Sequence, residues 1–350
     1  MPKGNQYSKH HQNLTISKIA VLCSGALVFI MGMTISSSLI AQKPNYKFKS
    51  INQPDGLMSS TVQTIFEDSF GFIWLGTQHG VQRFDGKTYK DFEHSGSDTT
   101  GLLHNSINGF CEDADQNIWI ATSGGLNIYY RETDKILRYK WHDKSFTEYG
   151  ETIISRITRD NSDPNIIWMT ARGIGLIKLN TRNDSTAIYS SGTENDKLFS
   201  WILTNPVKKN ELLLGGASLF SFDKISGQFK VILELEQNSE IPNDLINDAV
   251  VDPKNNGMIW LATGDFWGRG DLGGLIRYDL ITGSKKVFSP ETRKDDLPDR
   301  HLLCLCFYDH NNLWIGTRIN GALLYKRDED RFYNFQKNEY DEGSLSQKMP

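Results

Sequence analysis

The sequence predicts an all-β protein, a β-propeller of four-stranded antiparallel blades. Six blades are present, and an orphan outer strand precedes them, as in an incomplete seven-bladed ring. Three observations carry this. A phrase of Trp, aliphatic residue, small residue and Thr recurs along the chain. Each recurrence encloses four short apolar runs separated by turn residues, which is the arithmetic of a propeller blade. The composition, 11% aromatic with 30 Gly in 350 residues, suits strands and tight turns.

The first element is not part of the fold. Residues 1–41 carry Lys3, Lys9 and Lys18 without an acid, then an uncharged run from Ile19 to Ile35, then small residues ending at Ala41. This is the pattern of a signal peptide cut before Gln42. An uncleaved membrane anchor is the alternative, since the apolar stretch approaches the ~20 residues of a span. Cleavage leaves 35 basic against 42 acidic residues, a net charge of −7 against −4 for the whole chain. An acidic surface argues against a nucleic-acid partner, which needs a basic patch. Cys23 leaves with the signal; Cys111, Cys304 and Cys306 are expected as small buried hydrophobes and not as a disulfide framework or metal ligands.

The six copies of the phrase centre on Trp74, Trp119, Trp168, Leu213, Trp260 and Trp314, spaced by 45, 49, 45, 47 and 54 residues. A first strand ends at Asp68, Asp113, Asp160, Asn205, Asp252 or Asp309, whose side chain can accept from the turn backbone two residues on. Gly71, Asn165, Gly257 and Asn311 are expected to supply positive φ in these turns. The Trp strand follows, then a third strand (GVQRFD, GLNIYY, GLIKLN, SLFSFD, GLIRYD, ALLYKR) and a fourth richer in aromatics. Two residues after each Trp position stands a small one: Gly76, Ala121, Thr170, Gly215, Ala262 and Gly316. Sheets converging on an axis need such residues for close approach, while the Trp fills the space between blades. The phrase is therefore scaffold.

The segment Tyr46 to Leu57 repeats the pattern of a fourth strand and its following loop, as in Tyr89 to Leu102, without the first three strands. Blade six already owns a fourth strand at Arg331 to Phe335, so the orphan is expected to serve a further blade, and the chain to be truncated before blade seven. A complete six-bladed ring with that strand tucked elsewhere is the alternative.

The pattern Asp-x-x-Gly-x-Ile-Trp-x-Gly-Thr, then Gly-Val or Gly-Leu and an aromatic-Asp end, as in Asp68 to Thr77 and Gly80 to Asp85, resembles the two-component regulator propeller repeat. The likeness covers roughly residues 43–347. Blade four departs, with Leu213 for Trp and Gly216 for Thr. The resemblance implies the periplasmic sensor region of hybrid two-component histidine kinases of Bacteroidetes, responding to carbohydrates and followed by an immunoglobulin-like domain, a membrane helix and a kinase. No kinase signature is present in these 350 residues, so no catalytic residue and no enzyme activity is expected of this chain.

Binding residues concentrate on loops held by a rigid scaffold. The loops joining second to third strands line one mouth of a propeller, and the fifth, Thr263 to Gly274, is the longest. It sets Asp265, Phe266, Trp267, Arg269 and Asp271 among glycines: a flat apolar face for sugar C–H groups beside charged groups for hydroxyls. The alternative for Trp267 is that it pins the loop to the scaffold. Gln78, His79, Arg172, Arg318 and Asn320 occupy matching loops. Arg-Gly-Asp at Arg269 to Asp271 is a three-letter match of no weight. The Asp-turn-Trp phrase lacks the order of the sialidase Asp box. No metal site or cofactor is expected. The expected partners are an oligosaccharide or other small ligand and a second copy of the chain, with membrane contact only through the N-terminal segment or domains outside this sequence. A secreted glycoside-acting hydrolase or lyase, or a protein-interaction platform, is the alternative function.

Overall fold

The computed structural model describes residues 44, 46–94, 101–141, 152–190, 199–235, 245–265, 268, 272–293, 297–341 and 343–345; the predicted signal segment lies outside them. The propeller belongs to the unit Lys47–Pro350. Six four-stranded sheets follow one another, each antiparallel and in chain order. The first strands are Val62–Glu67, Ile107–Glu112, Ile154–Arg159, Trp201–Thr204, Leu245–Asp252 and Leu302–Phe307. Each of the first five contacts the first strand of the next sheet, so these edges gather toward one axis. The single helical turn among the described residues is Gln53–Asp55, and none of their helices is long and apolar enough to cross a membrane.

The repeated phrase performs two jobs at once. The turn carboxylate caps its own hairpin: Asp68 Oδ1 accepts from the Phe70 and Phe72 amides, both at 3.0 Å. The same group holds the Trp. Trp74 Nε1 donates to Asp68 Oδ2 (2.9 Å), Trp119 to Asp113 (2.8 Å), Trp168 to Asp160 (2.7 Å) and Trp260 to Asp252 (2.9 Å). The sequence-level reading missed this bond. It lets a large apolar ring enter the seam with its one polar atom satisfied. Trp74 packs on Tyr129 and Phe110 of blade two, and Trp260 on Tyr325 and Phe307 of blade six.

A cation from the following blade completes three seams. Arg131, Lys224 and Arg327, each directly after a third strand, reach Asp68 (3.0 Å), Asp160 (2.8 Å) and Asp252 (2.9 Å) of the preceding blade. Blade four has lost the whole set together: Leu213 needs no indole partner, Asn205 is neutral, and Leu280 stands at the cation position of blade five. Burial tends to raise the Asp160 carboxyl, but bonds from Lys224, Ser162 and Trp168 outweigh it and take it down to about 2.

The small residues are needed. A Cβ on Gly76 would lie 2.5 Å from Thr64 Cγ2 and 2.7 Å from Ile107 Cγ2 of blade two. On Gly215 it would meet Ile246 of blade five at 2.9 Å.

Two expectations need correction. Only Gly71 of the four turn residues has positive φ (82°); in blade two Gln116 takes it (66°), and Asn165, Gly257 and Asn311 do not. The Trp follows its Asp by six positions in blades one and two but by eight in blades three and five, so the tight bend falls elsewhere. Cys304 and Cys306 are exposed, whereas Cys111 is buried as expected. Cys306 pairs with Trp314 as Cys111 pairs with Trp119, but blade three covers the latter pair. The segment Tyr46 to Ser50 is extended without joining a sheet. It leans on blade six: Phe48 donates to Gly343 O (2.8 Å) and packs edge-on against Trp314 and Phe335.

Candidate functional site

In four of the six phrases the Thr closes a mouth hairpin. Thr77 Oγ1 donates to Gly80 O (3.0 Å) and accepts from His79 N (2.9 Å). Thr122, Thr263 and Thr317 donate likewise to Gly125, Gly274 and Gly321 at 2.9 to 3.1 Å. The glycine is required where the third strand starts: at Gly321, with φ 75°, a Cβ would sit 2.4 Å from Phe335 O. Hairpins closed in this way fix where each loop leaves and rejoins its sheet.

At blades five and six, two loops and a hairpin converge. The fifth loop turns through Gly268 N donating to Asp265 O (2.9 Å), with Asp265 buried. Gly268 lies over the Arg318 side chain, and Gly264 lies against His301. Arg318 N in turn donates to His301 O (2.9 Å). Asp299 organises the approach to the inner strand. It is buried and accepts from His301 N (2.9 Å) and from Ile319 N and Asn320 Nδ2 (both 3.3 Å). Asn320 also takes the Gln336 amide at 3.0 Å.

Two groups here are chemically unspent. His301, 8% exposed, has a buried Nδ1 without a hydrogen-bond partner among the described residues. The Arg318 guanidinium makes no hydrogen bond or ion pair among the described residues, although its stem is packed. A buried ring nitrogen left unpaired costs about 1–3 kcal/mol, which a ligand's polar group can recover. A half-buried guanidinium beside it offers a planar fork of donors.

The structure thus brings together Asp265, Arg318 and Asn320 of the predicted set. Gln78 and His79 on blade one and Arg172 on blade three are exposed loop residues whose side chains bond to nothing in this cluster. Phe266, Trp267, Arg269 and Asp271 lie outside the described residues. His301 and Asp299 were not foreseen. The signal was available: Asp-x-His in the loop entering the sixth inner strand, on the mouth side. Among the described residues no three His, Cys, Asp or Glu side chains gather as a metal ion would need.

The chain carries two-component regulator propeller repeats: the model of that repeat matches residues 56–79 and 101–124. A histidine kinase of Formosa agariphila, termed P4, is 37% identical over 78 residues, which is 22% of this chain and 6% of that one. The extracellular domain of a putative hybrid two component system from B. thetaiotaomicron superposes with a TM-score of 0.69 at 20% identity. The match covers 87% of this chain and 38% of that one. A xyloglucanase from Xanthomonas campestris superposes with a TM-score of 0.59 at 14% identity, over 79% of this chain and 46% of that one. These likenesses show the propeller fold, and this chain spans well under two thirds of the length of each relative.

Proposed function

We propose that this chain is the ligand-sensing propeller of a two-component sensor, exported to the periplasm after cleavage before Gln42, and that it detects an oligosaccharide. The signal would pass across the membrane to a histidine kinase in the same system. The observation that carries this is the blade five–six mouth, where His301 Nδ1 and the Arg318 guanidinium stand unspent beside the buried Asp265. The regulator-propeller repeats and the likeness to an extracellular sensor domain support the sensing role. Hydrogen-bonding groups on a propeller rim suit the hydroxyls of a sugar. A ligand signals only by favouring one arrangement of the receptor, and pairing of two copies supplies the second state.

The test is calorimetric titration of the exported protein with a panel of neutral and acidic oligosaccharides. One member should bind, and Arg318→Ala should weaken it by about tenfold while the melting temperature is unchanged. Equal affinity in the folded variant removes this mouth from the site. Mass spectrometry of the same sample checks the export step, which requires a first residue of Gln42.

A further inference from the structure

Each first strand has one neighbour within its sheet, so its other edge faces the axis. Backbone groups there are satisfied by side chains of adjacent blades. Asn108 Nδ2 donates to Ile154 O (2.8 Å), Ser200 Oγ to Ile246 O (2.7 Å) and Asn247 Nδ2 to Leu302 O (2.9 Å). Neutral groups suffice for this hoop.

At two places a charge is used instead. Arg156 Nη1 donates to Asn108 O of blade two (3.1 Å) and to Ser155 O (2.9 Å). Asp248 accepts from Leu305 N of blade six (2.8 Å) and from Ala249 N (2.9 Å). The matching positions of the other inner strands are Thr64, Gly109, Trp201 and Cys304, all uncharged. The scaffold therefore does not require a charge at this register.

Nor do the two charges cancel in contact. Among the described residues no carboxylate lies within ion-pairing distance of Arg156. Its Nε and Nη2 make no hydrogen bond, and neither is among the atoms sealed from solvent. Each group still feels the other. Burial pulls the Arg156 guanidinium below its ordinary value and the Asp248 charge opposes this; burial pushes the Asp248 carboxyl up and the Arg156 charge opposes that. A mostly buried guanidinium with half its fork unspent keeps free donors, and the shape it offers matches a planar or tetrahedral oxyanion.

We propose that the axis of the ring holds a binding site for a small organic anion bearing hydroxyl or amino donors. Arg156 Nε and Nη2 take its anionic oxygens, and the Asp248 carboxylate accepts from its donors. This site is separate from the blade five–six mouth and does not depend on it.

Glucuronate, glucose and sulfate titrated into the folded chain decide the matter. Glucuronate should bind at least tenfold more tightly than glucose. Arg156→Gln, which keeps a donor for the Asn108 carbonyl, should weaken glucuronate and sulfate by tenfold or more. Asp248→Asn should strengthen sulfate severalfold by removing a like charge, and weaken glucuronate by exchanging one accepting oxygen for an amide donor. Unchanged anion affinities in a folded Arg156→Gln overturn the proposal, as does sulfate binding without glucuronate, which would mean an adventitious ion only. Should Arg156→Gln not fold, Asp248→Asn decides alone: opposite changes for the two anions support the site, and parallel changes or none overturn it.

Discussion

The seam between blades one and two and the outward face of blade six are written in the same words. In the seam, Trp74 is fully buried, its indole bonded to Asp68, its ring against Tyr129 and Phe110, and Arg131 bolting the carboxylate from the next blade. On blade six, Trp314 is half-buried with Phe48 edge-on against it, and Asp309 is exposed, with its second oxygen taken by its own turn's Asn312 (2.7 Å). Blade one shows the same contrast on its other side: Ile65 is 67% exposed, while Phe110, at the same register in blade two, is 7% exposed. The phrase supplies a face that can be buried. What lies across it decides how much that face contributes.

Substitution at the two tryptophans should separate them most. Trp74→Ala opens a cavity between two sheets and removes an aromatic cluster, with an expected loss of about 3–5 kcal/mol. Trp314→Ala removes a ring that already meets solvent, so about 1–2 kcal/mol is expected. Urea unfolding of both variants measures this, and equal losses would mean that the two faces are covered alike. One step smaller is the pair Asp68→Ala and Asp309→Ala. The first strands an indole N–H and the Arg131 charge together, about 3 kcal/mol; the second removes an exposed turn cap, about 1 kcal/mol.

The contrast also marks what was legible in the sequence. The blades could be read because each small unit repeats its own local demands: a carboxylate two residues before a turn amide, a small residue two after the Trp. The first is a property of one strand pair, and the second recurs at one fixed place in every pair. The Trp–Asp bond lay within one hairpin and was missed all the same, whereas the cation bolt could not be read, since Arg131 and Asp68 are 63 residues apart and only the packing of successive sheets brings them together. The cysteine expectation failed for the same reason. Cys306 sits in a strand pattern that buries Cys111, and only the neighbouring blade distinguishes them. At the mouth, Asp265, Arg318 and Asn320 lie in the loops between second and third strands, but His301 enters from the loop before the sixth inner strand, and its nearness to them shows only once the two lie against each other.

Acid offers the finest test of the bolted seams. Asp160 is held at about 2, below its ordinary 3.8, because bonds from Lys224, Ser162 and Trp168 outweigh the upward push of burial; Asp68 and Asp252 are lowered as well. A carboxyl whose folded value is depressed contributes stability that is fully present above its unfolded value, and that is lost as pH falls through the folded one. The Asp160 contribution, about 2 kcal/mol, should therefore disappear between about pH 4 and pH 2. Lys224→Met removes the bolt and leaves burial to push the carboxyl up. The variant should be less stable at neutral pH, and it should lose less between pH 4 and pH 2 than the parent does. Thermal melts across that window would show the two curves converging, whereas parallel curves would mean that Lys224 does not set the Asp160 charge.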